Sequence, residues 1–591
     1  MRLRFTIVPL IALSLSVPSA AALASSGGAG HHHARPTDPA RRVLAGMSLD
    51  QKIGQVFETY VYGDSATDPS PADAAQNQSL YGVDTGAQVL AKYHLGSVIY
   101  FTWSDNLNNP TQMANLSNGL QQAASDSGDA PLLISTDQEG GNVTRIGAPL
   151  AVSPGNMAIG ATFSPRDSYA MSHATGQQLA ALGINVDDAP VIDVNTNPAN
   201  TADGPRSFGD RSGMVAAMSV ASILGYQTSR VAATAKHFPG LGSTSVNTDN
   251  GVAVTDETVQ QFQRNDLPPF RAAIAAGVDE IMAAHIIAPA LDPSNAPASV
   301  SKPIVTGLLR DQLHYNGVVV TDALSAAALE SIPPAQRAVQ AIEAGDDIAL
   351  MPSDLPSAID AVRDAVTSGE ISQARLDESV LRILKLKQKL GLFDNAQVDA
   401  GAAASSVGTA QQNATAARTA SDSITLVRNG DGTLPFAPNS GKKVLVTGWG
   451  AGTTQTLASS IAAHGVTTQR VYTGSNPSAA TRAAAVTAAK ANDLVVVATD
   501  NAWGDSGQQA LVEDLEQSGT PVVVVALGGP YDLSYFPDVS TFVTAYGYQP
   551  ATLTALVDDL FGAQPKGHLP VTISTPDGSS TVAAYGTGLR Y

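Results

Sequence analysis

Short runs of β-branched and small apolar residues alternate with longer Ala-rich stretches whose apolar positions recur at helical spacing, and this alternation fills two separate regions of the chain. In the first region the runs are residues 96–101, 131–137, 186–194, 231–237, 280–285, 317–322 and 347–351, with a further strand placed at 55–62. Strand-then-helix repetition over about 300 residues predicts parallel strands joined by crossover helices. Eight such strands favour an α/β fold of the (β/α)8 TIM-type barrel kind over an open sheet. Either topology presents its ligand groups at the carboxyl ends of the strands. Ser48-Leu49-Asp50-Gln51 has the spacing of a capping box and starts the first helix of this region.

The barrel is assigned to residues 41–395. Residues 396–419 turn rich in Ala, Ser, Gly and Gln and read as a linker with a helix in it. Residues 420–591 resume the alternation, with apolar runs at 424–427, 443–447, 493–499, 521–527 and 541–546 and helices at 479–491 and 508–517. They predict a C-terminal α/β/α sandwich. At the other end, residues 1–24 carry Arg2 and Arg4, an apolar run at 5–17 and the small-residue site Ala22-Leu23-Ala24, the pattern of a cleaved signal peptide. The run falls short of the roughly 20 residues a membrane span needs. A secreted protein starting near Ser25, with no membrane insertion after cleavage, is the expectation. Residues 25–40, Gly-rich and including His31-His32-His33, read as a flexible leader.

Composition removes several classes of function. A chain of 591 residues exceeds one core, and a net charge of -19 without any basic block excludes nucleic acid as a partner. The absence of Cys excludes disulfides, thiolate metal sites and a thiol nucleophile. No Gly-rich phosphate cradle and no local His/Asp/Glu spacing of a metal site stands out, so neither an organic cofactor nor a metal is expected.

What remains is a set of polar groups at strand ends. A single strand-end Asp is commonly a helix N-cap. Here the groups repeat: Asp137 with Arg145 following, Asp193, Lys236-His237, His285 and Asp322, with Arg206 in the long loop after Asp193. A barrel brings them to one rim. Asp, Arg, Lys and His around a pocket suit a ligand rich in hydroxyls, because each makes charge-assisted hydrogen bonds to them, and that ligand is a sugar.

Residues 42–395 resemble the catalytic barrel of family 3 glycoside hydrolases, in the branch containing β-N-acetylhexosaminidases. The resemblance is carried by Thr136-Asp137-Gln138-Glu139-Gly140-Gly141 with Arg145, by Asn185-Val186-Asp187-Asp188-Ala189-Pro190-Val191-Ile192-Asp193-Val194, by Arg206-Ser207-Phe208-Gly209, by Lys236-His237-Phe238-Pro239-Gly240, by Met282-Ala283-Ala284-His285 and by Thr321-Asp322-Ala323-Leu324. Ile424 to Asn429 and Leu569 to Ile573 resemble the C-terminal domain of longer family members. The resemblance implies a retaining exo-glycosidase, most simply a β-N-acetylhexosaminidase, in which Asp322 attacks the anomeric carbon and forms a covalent glycosyl-enzyme. It implies that Asp137, Arg145, Arg206, Lys236 and His237 hold the sugar undergoing cleavage. His285 joins that substrate-binding set, although a strand-end residue such as His285 or Asp193 also serves simply to tie down loops. The substrate is an oligosaccharide or glycoside. Glucose or xylose is the alternative sugar, and a secreted binding protein without turnover is the alternative class.

One departure bears on mechanism. In that branch the loop after Lys-His-Phe-Pro-Gly ends in Asp-Ser-His, whose Asp–His pair is the general acid/base. Here Leu241 and Ser243 replace an earlier His and Asp, and Asn247-Thr248-Asp249 stands in place of Asp-Ser-His. Three accounts are open. Asp249 is itself the acid/base, with its pKa raised by burial or by the charge on Asp322; the second domain supplies the acid, from a loop such as Asp500-Asn501-Ala502-Trp503-Gly504-Asp505; or turnover is lost.

Overall fold

The computed structural model describes residues 38–591, so the expected signal peptide and all but the end of the expected leader lie outside the described residues. Order begins slightly earlier than anticipated, with a helix over Pro39–Gly46 whose Ala40 N–H donates to Gln388 Oε1 at 3.2 Å. Next comes the helix Leu49–Gln55, where Ser48 and Gln51 form the reciprocal capping box.

Eight parallel strands follow: β1 (Phe57–Thr59), β2 (Ser97–Ile99), β3 (Leu133–Thr136), β4 (Val186–Asp187), β5 (Ala232–Phe238), β6 (Glu280–Ala283), β7 (Val318–Thr321) and β8 (Ala349–Leu350). Each pairs with the next, β1 also pairs with β8, and a bridge between Val320 and Ile348 joins β7 to the start of β8, so the sheet closes on itself. Every residue of these strands is buried, which is why their sequences read as unbroken apolar runs rather than alternating ones. The polar exceptions point at one another: Glu58 accepts from Ser135, and Glu280 from Thr234 at 3.1 Å.

The segment expected to be a linker is packed. It forms two helices, Ala400–Ser406 and Ala410–Ser423, with Ala403, Thr415, Ala416, Thr419 and Ala420 buried. Its small side chains let the second helix lie close against Asn156–Ala161, Pro165–Ala181 and Pro550–Leu560. The Ala-rich composition that suggests a spacer is here the signature of a tight helix contact.

The second sheet contains β9 (Thr425–Asn429), β10 (Lys443–Gly448), β11 (Thr467–Tyr472), β12 (Leu494–Thr499), β13 (Val522–Ala526) and β14 (Thr541–Thr544). Their spatial order is β11-β10-β12-β13-β14-β9, parallel except for β9. Leu445, Val495, Val497 and Val524 pack on one face, and Val444, Val446, Val496 and Val523 on the other, giving the two helix-covered cores of an α/β/α sandwich. β11 is the strand absent from the sequence reading, because Thr-Thr-Gln-Arg-Val-Tyr at an exposed sheet edge has no buried apolar run.

The sandwich docks on the carboxyl-end side of the barrel strands. Met157, Ala158 and Ala161, from the loop region after β3, belong to the sandwich's own core. Asn195 Nδ2 donates to Tyr531 Oη at 2.8 Å, Gln549 Nε2 to the Gly141 carbonyl at 2.6 Å, and the Thr572 N–H to Asp210 Oδ2 at 2.7 Å. At Gly209 a Cβ would lie 2.3 Å from the Pro570 carbonyl oxygen, so a side chain there would push apart the two loops that meet at this point. Among the described residues no helix is long and apolar enough to cross a membrane.

Candidate active site

The barrel strands β3, β5 and β7 end where their apolar runs give way to polar groups, and the loops at this end of the barrel surround a cavity of about 430 Å³. Asp137, Arg145, Arg206, Lys236, His237, Asp249 and Asp322 all line it. These residues are separated by up to 185 positions in sequence (322 minus 137) and meet because β3, β5 and β7 run parallel around one ring.

The floor is an ion network. Lys236 Nζ lies 2.8 Å from Asp137 Oδ1 and 2.8 Å from Glu139 Oε1, while Arg206 reaches Glu139 through Nη2 at 2.7 Å and Nε at 2.8 Å. Arg206 Nη1 also donates to the Ala202 carbonyl at 2.8 Å. Arg145 Nη2 lies 3.1 Å from Asp137 Oδ2, and its guanidinium sits 5.4 Å from the centre of the Phe101 ring. Burial works against ionisation of Asp137, but Lys236 and then Arg145 outweigh it and hold the carboxyl below its ordinary range. For Lys236 burial again opposes the charge, and Asp137 and Glu139 more than restore it.

Asp193 organises the loop that carries Asp249. Its Oδ2 accepts from His237 Nδ1 at 2.7 Å and from the His237 N–H at 3.0 Å, and its Oδ1 accepts from the Leu241 N–H at 2.8 Å. Burial alone would depress the His237 pKa, yet Asp193 beside it leaves it raised. Asp203 Oδ1 lies 3.8 Å from the same ring nitrogen. Asp193, Asp203 and His237 are, among the described residues, the trio with ligand atoms close enough for a metal ion, all within 4.8 Å of one another. The short contact between His237 and Asp193 engages the ring nitrogen as a hydrogen-bonded pair.

Further along this loop, Asn247 Oδ1 accepts from the Asp249 N–H at 2.8 Å. The Thr248 and Asp249 carbonyls accept from the N–H groups of Ala328 at 3.2 Å and Ala327 at 3.4 Å, fastening the loop to the segment after Asp322. Asp249 is exposed at the mouth, and among the described residues its carboxylate has no hydrogen-bond partner. Desolvation by the cavity walls, then the charge of Asp322, raise its pKa. Asp322 is biased the other way. Burial opposes its charge, but the His285 and His237 rings and the Ala323 N–H, bound to Oδ1 at 2.8 Å, outweigh that and lower its pKa.

His285 stands apart from the set in which the sequence reading placed it. It does not line the cavity and is wholly buried, with Nδ1 2.7 Å from Ser299 Oγ and Nε2 2.9 Å from the Ala323 carbonyl. Both ring nitrogens are occupied, Nε2 in holding the backbone next to Asp322 and Nδ1 on the Ser299 hydroxyl. Asp500 and Asp505 do not line the Asp322 cavity either; Asp500 lies in an adjoining hollow, and Asp505 Oδ1 caps a helix by accepting from the Gly507 and Gln508 N–H groups.

Three residues at the site were not singled out from the sequence. Glu139 joins Arg206 to Lys236, and its only sequence signal is the Asp-x-Glu spacing at the end of β3. Asp188 lines the cavity while 3 % exposed, with Oδ2 unpartnered among the described residues; burial, then Glu58 and Asp137, push its pKa well up. Trp103 lies half-exposed at the mouth, stacked on Phe101 at 4.8 Å and 19°.

The chain is 37 % identical over 379 residues to beta-hexosaminidase A of Pseudoalteromonas piscicida, an alignment covering 60 % of this chain and 62 % of that relative, so it spans under two thirds of the relative's length. It is 31 % identical over 557 residues to a beta-N-acetylglucosaminidase/beta-glucosidase of Cellulomonas fimi, covering 89 % of this chain and 93 % of that one. The solved structure of a family 3 beta-N-acetylglucosaminidase from Paenibacillus sp. str. FPU-7 superposes with a TM-score of 0.80 at 35 % identity, covering 89 % of this chain and 99 % of that one. Residues 48–386 match the glycosyl hydrolase family 3 N-terminal domain and residues 424–589 its C-terminal domain, in that order, and the chain therefore belongs to glycosyl hydrolase family 3.

Proposed function

We propose that this chain is a secreted retaining exo-glycosidase that releases terminal N-acetylglucosamine from cell-wall fragments or chitooligosaccharides, with Asp322 as nucleophile and Asp249 as acid/base. The observation that carries the reading is a pair of carboxyls lining one cavity whose surroundings bias them in opposite directions, Asp322 towards the ionised form and Asp249 towards the protonated form. Such a split is how two chemically similar groups take different roles. In the first step an Asp322 oxygen bonds to the anomeric carbon as the glycosidic C–O bond breaks, and Asp249 gives its proton to the departing oxygen. In the second, Asp249 takes a proton from water, the water oxygen bonds to the same carbon, and the Asp322 ester bond breaks. Asp137, Arg145, Arg206, Lys236 and His237 are assigned to the sugar hydroxyls, which they hold so that the ring faces the nucleophile.

The name of the Paenibacillus relative supports N-acetylglucosamine as the sugar, that of the Pseudoalteromonas relative supports a hexosamine, and the double name of the Cellulomonas fimi relative keeps glucose in view. The test is a panel of nitrophenyl glycosides with Asp322→Ala as control, together with mass spectrometry of the protein trapped by a fluorinated glycosyl donor. Release from the N-acetylglucosaminide with a glycosyl adduct on Asp322 is expected. Faster release from the glucoside or xyloside would change the substrate, and calorimetric binding without any release would reduce the protein to a sugar binder.

A further inference from the structure

The loop that carries Asp249 begins at Gly240, just after β5, and rejoins the fold at Glu257, and its two ends meet twice. Ser243 Oγ lies 3.0 Å from Thr255 Oγ1, and Thr255 is itself seated, its N–H donating to the Ile287 carbonyl at 3.0 Å. The second meeting is made through Asp266. At Gly240 a Cβ would lie 2.7 Å from both Cβ and Oδ1 of Asp266, so the start of the loop rests on that side chain. The Glu257 carboxyl, at the other end of the loop, stands within hydrogen-bond reach of it.

Neither acid has another partner to account for its burial. Asp266 is 1 % exposed and Glu257 8 %, and both Asp266 oxygens and Glu257 Oε2 are buried without a hydrogen-bond partner among the described residues. Asp266 occupies the N-cap position of the helix Leu267–Ala275 but makes no capping bond. The sequence explains why. An N-cap carboxylate accepts from the second or third helical N–H, and those residues are Pro268 and Pro269, which have none.

Two carboxyls in contact and out of water cannot both be ionised, and one proton between them turns repulsion into a hydrogen bond. The further charge acting on Asp266 points the same way: Asp193, from the segment after β4, is negative and is already engaged with His237. Burial, then Glu257 and Asp193, push the Asp266 pKa up to about 9. Calcium gathers roughly six to eight oxygens and magnesium about six, against three unpartnered ones here, so a proton is the better fit.

We propose that Asp266 and Glu257 are positioning residues for the acid/base: by sharing one proton they clasp the two ends of the loop that holds Asp249 at the cavity. That Asp249 is the acid rests on the function proposed above; the clasp itself does not. Opening the loop would return both acids to water, where carboxyls titrate near pH 4. Closing therefore takes up one proton between about pH 4 and about pH 9, and its equilibrium constant falls about tenfold for each pH unit across that window. The clasp is firmest in acid and loosens as pH rises.

The test reads the loop and the chemistry separately. Hydrogen exchange of residues 241–257 is followed by mass spectrometry on the whole protein from about pH 5.5 to about pH 8.5, corrected for intrinsic rates, with β12 as the reference segment. The open fraction of the wild-type loop is expected to grow about tenfold per pH unit while β12 stays protected. Asp266→Asn supplies an amide N–H in place of the shared proton, so the loop should stay closed and the pH slope vanish. Glu257→Gln, the second variant, should flatten the slope in the same way. Asp266→Ala should open the loop at every pH and lower kcat on a disaccharide at least about tenfold, part of the 100- to 10,000-fold that general acid catalysis supplies. It should cost less on a nitrophenyl glycoside, and Asp266→Asn should recover most of the disaccharide rate. A wild-type loop without the slope, or a slope that survives both Asp266→Asn and Glu257→Gln, overturns the proposal. So does a loop that EDTA opens and calcium closes, which would assign the pair to a cation. The slope present and removed by the variants, with disaccharide and nitrophenyl rates of Asp266→Ala falling equally, refutes Asp249 as the acid and keeps the clasp. A disaccharide-selective loss in Asp249→Ala with no slope in the wild type does the reverse.

Discussion

Replacing Glu139 by Gln is expected to unseat the cations that frame the sugar cavity. The Glu139 side chain is 2 % exposed and receives contacts from Arg206 Nη2 at 2.7 Å, Arg206 Nε at 2.8 Å and Lys236 Nζ at 2.8 Å. Gln keeps the shape, but its amide nitrogen would turn hydrogens towards a guanidinium or an ammonium. Lys236 would then keep Asp137, and Arg206 would be left with the weaker influence of Asp203 and Asp137. Counting each of the three bonds at about 1.5–3 kcal/mol overstates the loss, because the amide oxygen retains one acceptor; removing one partner of a buried ion network costs about 3–5 kcal/mol. That loss should appear as an earlier barrel transition in urea. It should be accompanied by a fall of at least about tenfold in kcat/KM on a nitrophenyl glycoside, since Lys236 and Arg206 lose their fixed positions. The pH dependence supplies a further check. Burial would raise the Glu139 pKa, but Arg206 and Lys236 outweigh it and hold the group well below its ordinary 4.5. A carboxylate depressed in the folded state contributes stability that is complete above its unfolded value and lost as pH falls below it. The gap between wild type and Glu139→Gln should therefore be full at neutral pH and shrink only below about pH 4.5. A variant that unfolds at the wild-type urea concentration at pH 7, or a gap that widens on acidification, would refute this reasoning.

Asp249→Ala should slow cleavage of a natural disaccharide by about 100- to 10,000-fold while affecting a nitrophenyl glycoside less, because a good leaving group needs little protonation; wild-type rates on the disaccharide would exclude Asp249 as the acid. With the Asp249 pKa raised and that of Asp322 lowered, kcat/KM should fall on the alkaline side as Asp249 loses its proton and on the acid side as Asp322 gains one. Asp249→Asn should remove the alkaline limb, and an unchanged profile would assign that limb elsewhere. Gly242→Ala would place a Cβ 1.9 Å from the Val194 carbonyl oxygen, so it should lower both stability and kcat by displacing the loop that leads to Asp249; wild-type kinetics would show that the loop position is immaterial. His285→Ala should lower kcat and thermal stability without raising KM, as expected of a buried ring holding the Ala323 carbonyl, and a large rise in KM would return His285 to the sugar contacts.

Much of the fold is legible in the chain because parallel strands buried on both faces leave unbroken apolar runs, such as 318–321 in β7 and 494–498 in β12. β11 escapes this reading at an exposed edge, and the helices at 400–423 escape it because Ala and Ser serve equally in a spacer and in a close helix contact. Within the site, Asp137, Lys236, His237 and Asp322 announce themselves by ending apolar runs. Glu139 does not: in Gln138-Glu139-Gly140-Gly141 it resembles a surface turn, and its importance lies in being enclosed by Arg206, 67 positions away.

The sequence by itself determined where most of the buried strands lie, and the resemblance it carries put Asp249 forward as a candidate acid, since both rest on residues adjacent in the chain. The tertiary structure decided which charges meet. The opposed bias of Asp249 and Asp322, the withdrawal of His285 beneath the Ala323 carbonyl, and the meeting of Asp266 with Glu257 all arise from closing the barrel and folding its loops over the rim. Burial and Coulomb interactions depend on distance through space, and no local pattern encodes which distant side chains will share it.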